Sequence, residues 1–326
     1  MKQLSIPANL HFETNKSLGK DYRKDDKITD KSGFLGKARI HQAVFRANGL
    51  GIDACDVYGN YLTEEDARKG YNFFGGLGIF EAVQADPKQR HYNKNVYSNM
   101  LRSEHIPFNF FIPLKNNLDY CTKVMHRYMP WIVSVDKVVI EYAPKQTKEK
   151  VYLSDRTSFD VYMEYIYSER GETKRGGIGI EVKYTERAYH VKPDSKEYSE
   201  TTREYETSEY KRVMDNSSLY KADVLTKLQS DIFRQYWRNH LLGEAMVQND
   251  DISRFTSVLL YPSANRHFAT TSEQYKLLLN NVNDIFKDIT YEDFIAMLAL
   301  EQPSDEYTPW IDYLNRRYMV IDWQIN

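Results

Sequence analysis

The spacing of apolar and polar positions divides the chain into segments with different predicted structures. Residues 34–102 carry apolar side chains at helical spacing, and Thr63 opens TEEDARKG as a predicted helix N-cap. Residues 119–129 (DYCTKVMHRYM) also predict a helix. The continuous apolar run FNFFIPL at 108–114 fits either a strand or buried irregular chain. Residues 1–32 are polar and charge-rich, and they predict a flexible arm.

The middle of the chain has the two-residue period of β-strands. Segments rich in Val, Ile, Tyr and Phe are separated by polar or glycine-bearing turns, which predicts strands at 135–143, 158–167 and 176–186. The connection SERGETKRGG turns near residue 171, so opposed residues in the resulting hairpin have numbers that sum to about 341. Val161 then opposes Ile180 on one face.

The other face of this hairpin carries charged residues. In the same register Asp160 opposes Glu181, and Lys183 follows two residues later on that face. A shift by one residue would place apolar residues opposite charged ones along both strands. The pattern therefore predicts that two carboxylates and a lysine converge.

The rest of the chain is predicted to be largely helical. The charged segment 187–220 has no clean apolar face and predicts a long excursion or solvated helix, with a lid as one option. A broad apolar stripe predicts a helix over 222–246, and FTSVLLYP (255–262) predicts a fourth strand. From Ser272 onward we expect helix, broken at Pro303 and Pro309. The expected units are a polar arm (1–32), a helical N-terminal region (33–105), a core (106–270) and a helical C-terminal extension (271–326).

Composition narrows the compartment and the class of partner. The 326 residues suffice for a large core, and the two cysteines, Cys55 and Cys121, form neither a disulfide framework nor a metal-ligand spacing. With no secretory leader or membrane-length apolar run, we expect a cytoplasmic protein without a membrane partner. The 44 Lys and Arg against 46 Asp and Glu leave a net charge of −2, so any nucleic-acid binding must be local.

The predicted trio suits a hard cation. Asp160 and Glu181 would supply oxygens to Mg²⁺, and Lys183 would position an attacking water or stabilise a phosphoryl transition state. Glu141 on the preceding strand and Glu164 beyond Asp160 are candidate further ligands. On spacing alone, ordinary cross-strand ion pairs on a solvated sheet face remain the favoured interpretation.

The same residues carry a family resemblance. The segments TSFDVYMEYI and GGIGIEVKYTE resemble the D…(D/E)xK signature of the PD-(D/E)XK nuclease superfamily. A strand with Glu141 precedes them, and a helix with QYWRNHLL and the strand FTSVLLYP follow, which is similar to that superfamily's core. More closely, residues 36–270 resemble a bacterial family of restriction-endonuclease-like proteins. The signature proline is absent, because Phe159 precedes Asp160.

The resemblance implies a restriction-endonuclease-like α/β fold, with a mixed four-stranded core sheet flanked by helices, and a nuclease that uses Mg²⁺ or Mn²⁺. Asp160 and Glu181 would bind the metal and Lys183 would be the catalytic lysine. The fourth acid stays open, with Glu141 ahead of Glu104. Two further residues on the later helix either lie near the site or simply occupy an exposed face, namely Gln235 and Arg238.

The resemblance also implies the partner. DNA is the expected substrate rather than RNA, and a homodimer would suit cleavage of both strands of a duplex. Basic residues near the predicted site are candidates for phosphate contacts: Lys174, Arg175, Arg187, Arg234, Arg238, Arg254 and Arg266. His105 and His240 are more simply structural residues. The alternative function is a catalytically silent member that binds nucleic acid or a partner protein.

Overall fold

The structure, a computed structural model, describes residues 33–52, 59–186 and 189–321. It also places a two-residue strand, Leu4–Ser5, parallel to Trp323–Gln324. The predicted flexible arm otherwise lies outside the described residues. Within the described residues, no helix is both long and apolar enough to cross a membrane.

Helices form the N-terminal part, as the sequence predicts. Thr63 caps its helix, accepting the N–H of Asp66 at 3.0 Å. The run FNFFIPL is helical, so both predictions for it are wrong: all of its residues are buried, and a helix buried all round shows no polar stripe from which its period could be read. The helices are α1 (Phe34–Val44), α2 (Glu64–Arg68), α3 (Ile79–Ala85), α4 (Lys94–Tyr97), α5 (Ile106–Asn116) and α6 (Leu118–Tyr128), and a π-helical turn, Phe45–Gly49, extends α1.

A mixed sheet follows, with one strand more than the sequence predicts. Its strands are β1 (Ile132–Tyr142), β2 (Phe159–Glu169), β3 (Glu172–Val182), β4 (Arg254–Tyr261) and β5 (Phe286–Thr290), adjacent in that order. The first three strands are antiparallel, whereas β3, β4 and β5 are parallel. The fifth strand escapes prediction because FKDIT is only five residues long and alternates poorly.

The predicted hairpin register is confirmed. Val161 pairs with Ile180, Met163 with Ile178 and Tyr165 with Gly176. The turn falls at Arg170 and Gly171, whose φ angles of 53° and 82° are those of a tight two-residue hairpin turn.

The C-terminal half is more fragmented than the sequence predicts. The helix predicted over 222–246 is interrupted at 229–233, because the apolar stripe continues through a break that spacing does not reveal. Residues 189–220 do not form one solvated helix: they form short helices and turns, in which Tyr205, Tyr210 and Val213 are buried. Pro309 begins a helix rather than breaking one. The helices are α7 (Lys196–Tyr198), α8 (Glu209–Asp215), α9 (Leu225–Leu228), α10 (Arg234–Gln248), α11 (Arg266–Lys276), α12 (Val282–Ile285), α13 (Tyr291–Glu301) and α14 (Thr308–Tyr318), with a π-helical turn at Ser199–Arg203 and 3₁₀ turns at Tyr205–Thr207 and Asp305–Tyr307.

Apolar cores cover both faces of the sheet. The face with Val161 and Ile180 joins the N-terminal helices to α13 and α14 in one core. The other face packs against α10, with Trp237 and Phe255 in a second core. The end of the hairpin that carries Asp160 and Glu181 therefore lies beside a helix. The ion-pair interpretation would instead require it to lie on an open, solvated sheet face.

Candidate active site

The three predicted charged residues meet at the end of the hairpin. Asp160 lies at the start of β2, and its Oδ2 accepts the N–H of Val182 at 2.7 Å. Glu181 is at the end of β3 and only 6% exposed. Lys183 follows the strand directly, and its Nζ lies 2.6 Å from Glu181 Oε1. The backbone alternation thus brings two carboxylates and one ammonium group into a common, largely buried location.

Helix α10 holds these groups from the other side. Gln235 donates through Nε2 to Glu181 Oε1, and its own Oε1 accepts from Lys183 Nζ at 2.6 Å. Asn239 donates through Nδ2 to Glu181 Oε2. Both carboxylate oxygens of Glu181 therefore have protein partners. The sequence analysis missed Asn239, although its position four residues after Gln235 places the two on the same helix face.

Burial and like charge perturb the ionisation of this cluster. The pKa of Asp160 lies well above its ordinary value, because of burial first and then the charges of Glu181 and Glu141, which outweigh Lys183 and the Val182 N–H. Burial acts to lower the pKa of Lys183, but Glu181 and Asp160 more than offset it and the pKa is raised. Lys183 is thus a stable cation beside a carboxyl group whose ionised form is disfavoured.

The two candidates for a fourth acid occupy different places. Glu141 is level with Asp160 on the neighbouring strand, since Ile140 pairs with Val161 and Tyr142 with Phe159. Its φ of 55° is unusual for a residue with a side chain. Burial raises the pKa of Glu141. The Lys88 ammonium, 3.8 Å away, acts to lower this pKa, and the charge of Glu181 acts to raise it further.

Glu104 lies in the turn before α5, where its carboxylate is 2.5 Å from the Arg102 guanidinium. Glu104 lines the same pocket as Asp160 and Glu181, whereas Glu141 is not among the residues that line it. Glu164 is held by Lys137 at 2.8 Å and is not among them either.

The site opens into a pocket of about 420 Å³ with an excess of negative charge. Glu186, which no sequence signal singled out, accepts the N–H groups of Ser103 at 2.9 Å and Tyr184 at 3.0 Å. Five carboxylates line the pocket against two cations: Glu104, Asp160, Glu181, Glu186 and Asp231, with Arg102 and Lys183.

Gln235 and Arg238, the two candidate site residues on the later helix, lie in different places. Gln235 lines the pocket and contacts two of the predicted charged residues. Arg238 is buried in another cluster, where it lies 3.1 Å from Asp155 and pairs with Glu197. Neither residue simply occupies an exposed face.

Most of the predicted phosphate-binding cations are already paired. Lys174 lies 2.7 Å from Glu169, Arg234 lies 2.6 Å from Asp231, and Arg254 lies 3.7 Å from Asp284. Arg175 lies 4.0 Å from Glu164, Arg266 begins α11, and Arg187 is outside the described residues. Burial lowers the pKa of His105 and of His240, as expected for structural histidines.

Comparison with known protein families decides the relationship. The family model described as the PD-(D/E)XK nuclease superfamily matches residues 26–320. The chain belongs to the PD-(D/E)XK nuclease superfamily. Its mixed sheet flanked by helices is consistent with that fold. No curated protein and no solved structure matches the chain.

Members of the PD-(D/E)XK nuclease superfamily typically use divalent metals, and the donor set here fits one. Carboxylate oxygens are the ligands that Mg²⁺ and Mn²⁺ prefer, and the surplus negative charge around Asp160 favours a cation. In the described part of the chain, no three His, Cys, Asp or Glu side chains form a ready cluster. Mg²⁺ needs only one or two protein carboxylates, because waters and substrate phosphates complete its coordination.

Proposed function

We propose that this chain is a metal-dependent nuclease that hydrolyses phosphodiester bonds, with DNA as the preferred substrate. Asp160 and Glu181 would hold Mg²⁺ or Mn²⁺, and Lys183 would be the catalytic lysine. The observation that carries the proposal is the surplus of carboxylates around Asp160 in a pocket of about 420 Å³, in a member of a nuclease superfamily. A polyanionic substrate would be repelled by such a pocket without a bound cation.

Each protein group has a role that its environment supports. A bound divalent cation would supply Lewis acidity and a water of lowered pKa. Lys183 is held protonated by Glu181 and Asp160, so it would donate a hydrogen bond to the attacking water or to a phosphoryl oxygen and would not serve as the base. Gln235 fixes the distance between Glu181 and Lys183, because it bonds to both.

One observation favours the alternative, a catalytically silent member that only binds nucleic acid or protein. Glu181 Oε1 already accepts from two donors, Lys183 and Gln235, so only Oε2, which accepts from Asn239, has a lone pair left for a metal. The two functions differ in a measurable way. The nuclease needs a metal and turns over, whereas the silent member binds without cleaving.

The test is cleavage of supercoiled plasmid and of single-stranded DNA in EDTA, Mg²⁺ and Mn²⁺. We expect cleavage only with metal, and a loss of about 10²–10³-fold in Lys183→Gln, which removes one donor to the reacting phosphate. Asp160→Asn should be inactive. Glu164→Gln is the matched control, since Glu164 is on the same strand and pairs with Lys137.

Two results would reject the proposal. Absence of cleavage under every metal, with DNA binding retained, would favour the silent member. Unchanged cleavage by both Asp160→Asn and Lys183→Gln would place the active site elsewhere. Sedimentation with and without duplex DNA would test whether the chain forms the homodimer that would suit cleavage of both strands.

A further inference from the structure

A histidine–carboxylate pair lies at the rim of the same pocket. His190 Nδ1 is 2.7 Å from Asp231 Oδ2, and both residues line the pocket with Asp160 and Glu181. The backbone oxygen of Asp231 also accepts the N–H of Tyr189 at 3.1 Å. Asp231 Oδ1 accepts from Arg234 Nη1 at 2.6 Å. These contacts fix Asp231 just before the first turn of α10, and Asp231 in turn orients the imidazole of His190.

His190 is unlike the three buried histidines among the described residues, His41, His105 and His240. Its side chain is 80% exposed, whereas His105 and His240 are almost completely buried. When Nδ1 donates to the Asp231 carboxylate, the ring is held in one orientation and Nε2 is left for another partner. The pair therefore contributes an oriented, exposed imidazole that packing of the core does not require.

The two cations and the two tyrosines of the pocket already have partners. The Lys183 ammonium lies against Glu181 and Gln235, and Arg102 is held by Glu104. Two tyrosines also line the pocket, and each contacts another side chain through its hydroxyl. These are Tyr236, 3.0 Å from the Thr271 hydroxyl, and Tyr189, which donates to Glu197 at 3.3 Å. Burial raises the pKa of both phenols, which makes them poor proton donors near neutral pH.

Hydrolysis of a phosphodiester leaves an alkoxide that needs a proton. We propose that His190 is the general acid of this site and that Asp231 is its positioning residue, an inference that rests on the proposed nuclease function. As water forms its bond to phosphorus, the bond from phosphorus to the bridging oxygen breaks. The water proton passes to solvent, and the His190 Nε2 proton passes to the leaving oxygen. His190 then regains a proton from solvent, so that charge and atoms balance.

A substrate with sulfur at the leaving position tests this role. Product ends of wild-type cleavage first establish which bridging oxygen leaves. Oligonucleotides are then made with oxygen or sulfur at that one position, and single-turnover rates are compared in the same metal. A thiolate is a far better leaving group than an alkoxide, so its departure needs no protonation.

The expected pattern is selective. His190→Gln should lower the rate on the oxygen substrate by about 10²-fold and alter the rate on the sulfur substrate by no more than about threefold. Asp231→Asn should show the same selectivity with a smaller loss, about tenfold. His91→Gln, which changes an exposed histidine that does not line the pocket, is the control and should leave both rates unchanged.

The other outcomes are distinguishable. An equal loss on both substrates would mean that His190 binds or positions the DNA, and would overturn the acid role. No loss on either substrate would also overturn it. If the wild type cleaves neither substrate, the nuclease proposal itself fails and this inference falls with it.

Discussion

Replacing Asp160 by asparagine should make the metal-free protein more stable while abolishing cleavage. The raised pKa of Asp160 means that folding disfavours its ionised form, because of burial and the nearby charges of Glu181 and Glu141. Asparagine removes that charge and still accepts the N–H of Val182 through its amide oxygen. The carboxylate would then be retained at a cost in stability for the sake of the metal.

The size of the effect follows from opposing contributions. An incompletely compensated buried charge costs several kcal/mol, but Lys183 and the Val182 N–H recover part of it, which leaves a net gain of about 1–3 kcal/mol for Asp160→Asn. The entropy of unfolding is on the order of 0.7 kcal/mol/K for a chain of 326 residues. The Tm should therefore rise by about 1.5–4.5 °C.

The effect has a defined pH dependence. An aspartate in the unfolded chain has a pKa of about 3.9, and the folded pKa is higher, so the destabilisation is absent below about pH 3.9. It grows as the pH rises from there to the folded pKa, and it is complete above that value. The difference in Tm between the two proteins should thus be small near pH 4 and largest above the folded pKa of Asp160.

The assay is calorimetry in EDTA and in saturating Mn²⁺, with Glu164→Gln as the control. A metal at 100 times its Kd should stabilise the wild type by about 2.7 kcal/mol, or about 4 °C, and should barely affect Asp160→Asn. Glu164 has an ion-pair partner in Lys137, so its substitution should not raise the Tm. A lower Tm of Asp160→Asn in EDTA, or an equal response of both proteins to Mn²⁺, would refute the reasoning.

Two further predictions concern helix α10. Asn239→Leu removes the donor that orients Glu181 Oε2, so we expect a 10- to 100-fold loss of Mn²⁺ affinity or of cleavage. Titration calorimetry measures the affinity, and circular dichroism checks that the fold is retained. Unchanged affinity would show that Glu181 does not depend on this contact. Gly243→Ala should destabilise by about 1–3 kcal/mol or more, because the added Cβ would lie 2.1 Å from the Phe255 ring. Gly75→Ala, with no heavy atom within 4 Å of its Cβ, should leave the Tm nearly unchanged, and equal Tm values for the two alanine variants would contradict the packing argument.

The hairpin could be predicted from the sequence because alternation and turn chemistry act locally. The polar connection around residue 171 and the alternating Val, Met and Tyr of β2 admit one register, and that register aligns Asp160 with Glu181. The same argument could not reach Glu141, whose place beside Asp160 depends on a strand separated by a long connection. The position of Glu141 opposite Asp160 is set by the pairing of Ile140 with Val161, and no local sequence pattern specifies that pairing.

The two segments whose structure was predicted wrongly, α5 and the break before α10, are both explained by burial. Residues Ile106 to Leu114 of helix α5 are buried on every side, so its apolar positions carry no periodic signal. The break between α9 and α10 is hidden because apolar residues continue across it, and Ile232, at 42% exposed, lies in the break although the stripe predicts it to be buried. Tertiary packing, rather than local spacing, decides both segments.

The site itself depends on that packing more than the signature suggests. An acid opposite a lysine on an open sheet would be a weak, solvated ion pair. Here α10 covers the strands, withdraws Glu181 from water and supplies amides to both of its oxygens. The same helix begins beside Asp231, which orients His190 at the pocket rim. Burial, which hides the helix boundaries from sequence patterns, is also the largest cause of the raised pKa of Asp160 at the strand ends.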